Sequence, residues 1–274
     1  MASVSLAIVV ARLGLVEKAV RLAAENAGDA SGIRLMLYGN GVSAAALREA
    51  VGPALKPWRK VVVLESETNR GAPHGLHALW EAARADGVRG EDDLLVYTHD
   101  DLFIMGKGWE TAVTRVFDAD PRCALAGFSG APGLGLDELY HTPYRMEQMI
   151  RLGFMSNLPS AEAHGVRCLE PKRISLTDGC SMIMRRSFLD SVNGWSWWPF
   201  VDHNYEVGVA CEVARARLHA WYIPVVHDHL SGWTANNAEG VRMFSAHGGQ
   251  VALQHESARY LYDHYRDVLP LRVR

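Results

Sequence analysis

The sequence predicts an α/β fold with a mostly parallel central sheet flanked by helices. In the first hundred residues, apolar runs alternate with amphipathic segments of helical length, as in βαβ units with right-handed crossovers. The run from Leu94 to Tyr97 is continuously apolar, which is typical of a strand covered on both faces. Each apolar run ends in polar or flexible residues, and such ends meet at the ligand-binding edge of a parallel sheet.

The alternation divides the chain into a series of predicted elements. We expect strands over 5–11, 33–38, 61–65 and 93–98, separated by helices over 16–25, 43–51 and 75–85. Further along, the pattern predicts helices over 109–120 and 206–218, and strands over 123–128, 180–189 and 220–226. The tail carries apolar residues at helical spacing, which predicts an amphipathic helix through Ala258, Leu261, Tyr262, Tyr265 and Val268.

A long segment over 130–173 interrupts this alternation. Glycine, proline and polar residues dominate it, and only 144–152 has a helix-like pattern. Irregular segments of this length inside a compact domain are usually functional or mobile. We therefore interpret it as a lid or as an insertion that faces an acceptor.

The composition is that of a soluble globular protein. Hydrophobic residues make up 49% and charged residues 22%, and the net charge of −3 gives no electrostatic footprint for nucleic acid. No signal peptide and no apolar run long enough to span a bilayer is recognisable, so we expect a cytoplasmic protein without a membrane span. The four cysteines lack CxxC spacing, which favours reduced core thiols.

The stretch LLVYTHDDLF carries the strongest chemical signal. An apolar strand ends in His99, Asp100 and Asp101, and two carboxylates at such a place can hold a divalent cation against phosphates. Because side chains alternate along a strand, Asp100 and Asp101 should do different jobs unless the chain turns between them. The alternative interpretation is that both acids only begin a solvated loop.

Other strand ends supply polar side chains for the same edge. The first strand is followed by Arg12, the second by a Gly-Asn-Gly turn, and the third by the sequence ESETNRG. These ends are expected to converge on one pocket with the two aspartates, although each residue alone is also ordinary turn chemistry. The expected pocket residues are Arg12, Asn40, Glu65, Asn69 and Arg70.

The chain lacks the two common glycine-rich phosphate-binding sequences. Neither G-x-G-x-x-G after the first strand nor G-x-x-x-x-G-K-[ST] occurs. NAD enzymes and P-loop NTPases are therefore disfavoured. A bound nucleotide diphosphate would need another source of positive charge, and a metal on the aspartates is the natural candidate.

Aromatic, acidic and histidine clusters follow in the second half. The sequence GWSWWPFVDHNYE combines a possible sugar platform, formed by Trp195, Trp197 and Trp198, with acids that can accept a hydroxyl proton. The alternative for the tryptophans is a hydrophobic anchor. The strand over 220–226 delivers His227 and His229, which share a face if the strand continues and which are either structural or metal-binding.

In their order, these motifs resemble those of the GT-A glycosyltransferases, especially the family 2-like group. The resemblance covers about 5–231 and rests on seven stretches, namely SLAIVVAR, LYGNG, TNRGAPHG, YTHDDLF, TDGCSMIMRRSFL, FVDHNYE and VVHDH. It implies one GT-A domain, Rossmann-like, over 1–274. Within it we expect a nucleotide-sugar-binding half over 1–103, an acceptor and catalytic half over 104–232, and a C-terminal helical extension over 233–274.

The resemblance also implies roles for particular residues. Asp101 would bind Mn²⁺ or Mg²⁺, assisted by Asp100 and by the late histidine His227, with His229 as the second choice. The catalytic base of an inverting enzyme would be Glu206 or Asp202, although a retaining mechanism needs no such base. The donor, a UDP- or GDP-sugar, would contact Arg12, Asn40, Glu65, Asn69, Arg70, His99 and Asp100.

The chain departs from the family pattern at two places, which leaves the choice of base open: Glu206 if it is in register with the family's acidic pair, Asp202 if the loop bulges. The acceptor is open as well. HDD replaces the commoner D-x-D, and Tyr205-Glu206 stands where a Glu-Asp pair is usual. The acceptor is expected to carry a free hydroxyl. One alternative acceptor is a modified base in DNA, in which case the 130–173 segment and a set of basic residues would face the DNA phosphates. Those basic residues are Lys172, Arg173, Arg185 and Arg186.

Two functions outside glycosyl transfer are also compatible with these residues. One is a phosphoester hydrolase in which histidines and aspartates hold two metal ions, and its ligands would be His99, Asp100, Asp101, His227 and His229. The second is a sugar-binding module without turnover, which would use the tryptophan cluster alone.

Overall fold

The computed structural model describes residues 3–85, 93–159, 165–230 and 238–273. Its longer strands and the short strands between them, in chain order, are β1 (Val4–Val10), β2 (Arg34–Asn40), β3 (Lys60–Ser66), β4 (Leu94–His99), β5 (Leu102–Ile104), β6 (Cys123–Gly127), β7 (Ser129–Ala131), β8 (Gly133–Leu134), β9 (Arg151–Leu152), β10 (Met155–Ser156), β11 (Val166–Arg167), β12 (Lys172–Ile174), β13 (Leu176–Thr177), β14 (Ser181–Arg185), β15 (His219–Tyr222), β16 (His227–His229) and β17 (Leu271–Arg272). The α-helices are α1 (Leu13–Asn26), α2 (Ala44–Val51), α3 (Ala72–Ala85), α4 (Trp109–Ala119), α5 (Arg186–Ser191), α6 (Tyr205–Arg215), α7 (Ala238–Ser245) and α8 (Gln250–His264).

Eight of these strands form the central sheet, in the order β12-β15-β6-β14-β4-β1-β2-β3. The pairs β4-β1, β1-β2, β2-β3 and β6-β15 are parallel. Strand β14 runs antiparallel to both of its neighbours, and β12 runs antiparallel to β15. The predicted α/β class with a mostly parallel central sheet and flanking helices is confirmed.

Alternation along the buried strands divides the core between the two faces of the sheet. In β1, Leu6 and Ile8 pack on the face covered by α1, α2 and α4, whereas Ala7 and Val9 pack on the face covered by α3, α5 and α6. Every residue of β1 is buried, as expected for a strand with helices on both sides. The continuous apolar run of the sequence is therefore a consequence of double-sided burial.

Several predicted elements have different bounds. The 144–152 piece is not an α-helix: a 3₁₀ turn over Met146–Met149 leads directly into β9, and the buried Gln148 side chain bonds the backbone of Leu139 and Arg145. The predicted 180–189 strand ends at Arg185, after which α5 begins. The predicted 220–226 strand ends at Tyr222 because Pro224 follows, and proline cannot donate to a ladder.

The 130–173 segment has more structure than its composition indicates. Its short strands join two small sheets, β11-β10-β7-β13 and β17-β8-β9. Helix α8 contains the predicted amphipathic face, although Tyr265 and Val268 are buried beyond its last residue. The division into halves stays a prediction, and the expected boundary at 232–233 lies outside the described residues.

Two further sequence expectations concern membranes and cysteines. Within the described ranges, no helix combines the length and the apolarity needed to cross a bilayer. All four cysteines are free and buried, as the absence of CxxC spacing predicts.

Leu79 tests the packing between α3 and the sheet. Its side chain is fully buried, so Leu79→Ala should lower the free energy of unfolding by about 2–5 kcal/mol. Leu169→Ala removes the same atoms from a side chain that is 67% exposed. This substitution should change the free energy of unfolding by less than about 0.5 kcal/mol. Urea denaturation of both variants measures the difference, and equal effects would contradict this packing.

Candidate active site

Asp100 joins the end of β4 to the end of β1. Its Oδ2 accepts hydrogen bonds from the backbone N–H groups of Ala11 (2.9 Å) and Arg12 (2.7 Å). Its Oδ1 accepts from Nε (3.0 Å) and Nη2 (2.6 Å) of the Arg12 guanidinium. Because β1 and β4 are adjacent parallel strands, their carboxyl ends meet here. Asp100 therefore fixes the position of Arg12 at this edge.

Asp101 points in a different direction, toward two histidines. Its Oδ2 lies 2.7 Å from Arg12 Nη2, while its Oδ1 lies 3.5 Å from His229 Nε2 and 3.9 Å from His99 Nδ1. The chain turns at Asp100 and Asp101, so strand alternation does not apply to this pair. Their carboxylates have different neighbours all the same, apart from the shared contact with Arg12. His229 reaches the site because β16 pairs antiparallel with β5, opposite Leu102.

The surroundings of Asp101 favour its charged form. Burial alone would raise its pKa, but hydrogen bonding to His229, the charges of His99 and His229, and Arg12 together lower the pKa to about 2. For His229, burial opposes the charged imidazolium, yet the contact with Asp101 raises its pKa above the ordinary value. The carboxylate is thus ionised at neutral pH.

This group meets the requirements of a divalent-cation site. One ligand atom from each of His99, Asp101 and His229 lies within 4.8 Å of the others. Asp101 Oδ1 is buried and, among the described residues, has only the long contacts with His229 and His99 and no well-formed hydrogen bond, so a further ligand there would be favourable. Two imidazole nitrogens and one carboxylate oxygen suit Mn²⁺ better than Mg²⁺, which prefers oxygen ligands.

The histidine expected first as a metal ligand has other neighbours. His227 is fully buried, with Nε2 3.1 Å from Ser129 Oγ and Nδ1 2.9 Å from the carbonyl oxygen of Val225. Burial also lowers its pKa. The geometry therefore favours the second choice, His229. The orientation of His99 is supported by Tyr205, whose hydroxyl lies 3.0 Å from His99 Nε2.

A cavity of about 240 Å³ opens beside this group. Its wall contains eight of the residues that the sequence assigns to the site, and these are Arg12, Asn40, Asn69, His99, Asp100, Asp101, Asp202 and His229. Asn40 Nδ2 donates to Asn69 Oδ1 (2.7 Å), and Asn40 Oδ1 accepts from the backbone N–H of Arg70 (2.8 Å). This pair ties the loop after β3 to the end of β2.

Gly71 allows the loop that bears Asp202 to approach the cavity closely. It has a φ of +85°, and a Cβ added to it would lie only 1.8 Å from the carbonyl oxygen of Val201. Only glycine allows both the left-handed conformation and this close approach. The loop before α3 and the loop before α6 therefore touch, and Asp202 lines the same cavity as the asparagine pair.

The other candidate base, Glu206, has a different environment. It is buried in the first turn of α6, with Oε1 2.6 Å from Nη2 of Arg151. Arg151 also lies 3.3 Å from Asp178. Burial raises the pKa of Glu206, and the Arg151 charge opposes that shift. Glu206 is not among the cavity-lining residues that the structure describes.

Glu65 and Arg70 lie away from the cavity. The Glu65 carboxylate accepts the backbone N–H of Ala44 and thus caps α2. Arg70 is exposed and contributes its backbone to the asparagine pair. We correct the expectation that their side chains join this pocket, because both face a separate groove beside β3.

The tryptophans are placed in the core and not on a sugar platform. Trp195 and Trp198 are 2% and 6% exposed, and Trp195 packs edge-on against Tyr97 at 5.1 Å. Trp197 is half-buried and packs edge-on against Trp198 at 5.7 Å. This packing supports the alternative interpretation of the tryptophans as hydrophobic anchors. We therefore do not propose these rings as sugar contacts.

Two of the basic residues considered for DNA phosphates are used within the fold. Arg185 donates to the backbone carbonyls of Cys123 (2.8 Å) and Phe117 (2.5 Å). Arg186 lies 3.3 Å from Asp93. Their guanidinium groups are therefore engaged in contacts within the fold, which removes part of the basis for a DNA acceptor.

Sequence reasoning missed one wall of the cavity. His203 has a φ of +58° and stacks on Phe244 of α7, with ring centroids 5.3 Å apart. Met243 and Gln250 complete this wall. The amphipathic tail indicated helices here, but no pattern in it indicated contact with the strand ends.

Two solved glycosyltransferase structures are similar to this fold. A mannosyltransferase from Pyrobaculum calidifontis, in complex with GDP-Man and Mn²⁺, aligns over 94% of this chain and 70% of its own, with 14% identity and a TM-score of 0.53. GalNAc-T7 with UDP, GalNAc and Mn²⁺ aligns over 89% of this chain, with 12% identity and a TM-score of 0.58. This chain spans 48% of the GalNAc-T7 chain, about half of its length. Comparison with protein-family models and with curated proteins finds no match. The chain has the GT-A fold that its motifs predict.

Proposed function

We propose that the protein is a Mn²⁺-dependent glycosyltransferase that moves a sugar from a UDP- or GDP-sugar to an acceptor hydroxyl. The observation that carries this proposal is the grouping of buried Asp101 Oδ1 with His99 and His229, at the wall of a cavity lined by Arg12 and the asparagine pair. Both similar structures are of glycosyltransferases solved with Mn²⁺, one with GDP-Man and the other with UDP.

The cation and the donor would occupy neighbouring parts of the cavity. Asp101, His99 and His229 would hold the cation, which offsets negative charge on the departing diphosphate when it is bound. Asn40 and Asn69 would contact the nucleoside, since they follow β2 and β3 at the same edge. The Arg12 charge is offset by Asp100 and Asp101, so the cation would supply the positive charge that the diphosphate needs in the absence of a glycine-rich loop.

We assign Asp202 as the base of an inverting transfer. Its Oδ1 accepts the backbone N–H of His203 at 2.8 Å, so Oδ2 would take the proton of the acceptor hydroxyl. The hydroxyl oxygen then bonds to the anomeric carbon, and the diphosphate leaves with the electrons of the broken C–O bond. Phe244 and Met243 would keep water from this carbon. Glu206 suits the role less well, because its buried ion pair with Arg151 would have to break.

Nucleotide binding tests the donor class directly. We expect UDP or GDP to raise the melting temperature only in the presence of Mn²⁺, because a ligand that binds the folded state stabilises it by mass action, by about 2.7 kcal/mol at a hundredfold excess over Kd. Thermal shift with each nucleotide, with and without Mn²⁺ and with Mg²⁺, measures this. If the metal alone raises the melting temperature and neither UDP nor GDP does, the phosphoester hydrolase is favoured instead.

The cation ligands can be separated by substitution. Asp101→Asn and His229→Gln should weaken Mn²⁺ binding by more than about tenfold, since even indirect partners of metal ligands contribute that much. His227→Gln should retain binding, because His227 is engaged with Ser129 and Val225. Electron paramagnetic resonance of free Mn²⁺ gives the affinities, and melting curves confirm that each variant is folded. Loss of binding in His227→Gln with retention in His229→Gln would reverse the assignment.

Donor hydrolysis, with water as the acceptor, tests the base before any acceptor is identified. Asp202→Asn should lower the release of the nucleoside diphosphate from its sugar by about 100- to 10,000-fold, while Mn²⁺-dependent nucleotide binding stays unchanged. Glu206→Gln should mainly lower the melting temperature by breaking the Arg151 pair. Full turnover in Asp202→Asn would exclude Asp202 as the base.

A further inference from the structure

We propose that a second cavity, on the opposite edge of the central sheet, binds a phosphate-bearing ligand. The cavity has a volume of about 380 Å³ and is lined by Arg122 and His219, which lie where β6 and β15 begin. These strands run in the same direction as β4, so their starts are at the edge opposite the candidate active site. The proposal does not depend on the function proposed for that site.

The wall of this cavity is strongly cationic, although the whole chain carries a net charge of −3. Among the lining residues that the structure describes there is no aspartate or glutamate. Four arginines line it, and these are Arg122, Arg173, Arg217 and Arg272. Like charges gathered in one cavity repel each other, and binding an anion relieves that repulsion.

Neighbouring groups hold several of these guanidinium groups in place. Arg122 donates to the backbone carbonyl of Arg217. Arg272 donates to the carbonyls of Leu134 and Gly135, each at 2.7 Å. Backbone carbonyls orient a guanidinium without neutralising it, so a ligand meets donors that are already positioned.

Two acids near the cavity are engaged with particular partners. Asp137 lies 2.6 Å from Arg272 and offsets that one charge. Asp120 accepts from His219 Nδ1 at 2.6 Å and from Trp221 at 2.8 Å. Among the described residues, no ion pair joins either acid to Arg122 or Arg217, the two arginines on which the test below rests.

The lining also selects the kind of anion. Guanidinium groups match the oxygens of phosphate with paired N–H donors. One side of the cavity is apolar, and it is formed by Val213, Leu218, Val268 and Leu271. A phosphate group next to an apolar portion therefore fits, whether it belongs to a lipid headgroup or to a free phosphate compound.

Inorganic pyrophosphate in the presence of EDTA is a suitable soluble probe, because EDTA removes the cation on which diphosphate binding at the other site would depend. Isothermal titration should show saturable binding that weakens at least tenfold in Arg122→Gln/Arg217→Gln. Binding should stay unchanged in Asp101→Asn and in the matched surface control Arg48→Gln/Arg115→Gln. Arg217→Glu reverses the charge at this position and should also weaken pyrophosphate binding. Melting curves verify that all variants fold.

Vesicles separate the two sources of phosphate. Phosphatidylcholine vesicles with phosphatidic acid are compared with phosphatidylcholine alone in a flotation assay. If the protein binds both pyrophosphate and the phosphatidic acid vesicles, and Arg122→Gln/Arg217→Gln loses both, the site exists and its ligand is a lipid headgroup. If the double variant loses only pyrophosphate binding, the site exists and its ligand is a free phosphate compound. Pyrophosphate binding that is equal in all variants, or absent, would overturn the proposal.

Discussion

The guanidinium of Arg12 lies between two buried carboxylates, and the arrangement of the site depends on this contact. Arg12 Nη2 is 2.6 Å from Asp100 and 2.7 Å from Asp101. Two adjacent buried acids would otherwise repel each other and favour protonation of one of them. The arginine offsets this repulsion through Oδ1 of Asp100 and Oδ2 of Asp101, which leaves Oδ1 of Asp101 directed at the histidines. The contact thus joins the geometry of the sheet edge to the charge that a cation requires.

Much of this edge was predictable because a parallel sheet constrains where its strand ends lie. Once the apolar runs are recognised as parallel strands, Arg12, Asn40 and Asp101 must emerge at one edge, and the structure places them in one cavity. The turn after β3 follows the same rule through Asn69. Register alone therefore brings together side chains from distant parts of the sequence.

Other residues were not predictable because local contacts decide their direction. Glu65 lies at the end of β3, as Asn40 lies at the end of β2, but its carboxylate accepts from the first turn of α2. The tryptophans satisfy the composition of a sugar platform, but the core between α3 and α6 buries two of them. His227 and His229 differ by two positions, and only the pairing of β16 with β5 determines which one meets Asp101. The direction of each of these side chains depends on tertiary packing, and the spacing of residue types along one sequence does not reveal that packing.

The cavity takes its walls from both ends of the described chain, since Arg12 follows the first strand and Gln250 begins the last helix. During synthesis from the amino terminus, the parallel pairs of β1 to β4 can form before α7 and α8 leave the ribosome. At that stage the edge that bears Asp101 is still open to water. A chain that ended before α7 would therefore hold the charged residues of this edge without the wall that Met243, Phe244 and Gln250 form.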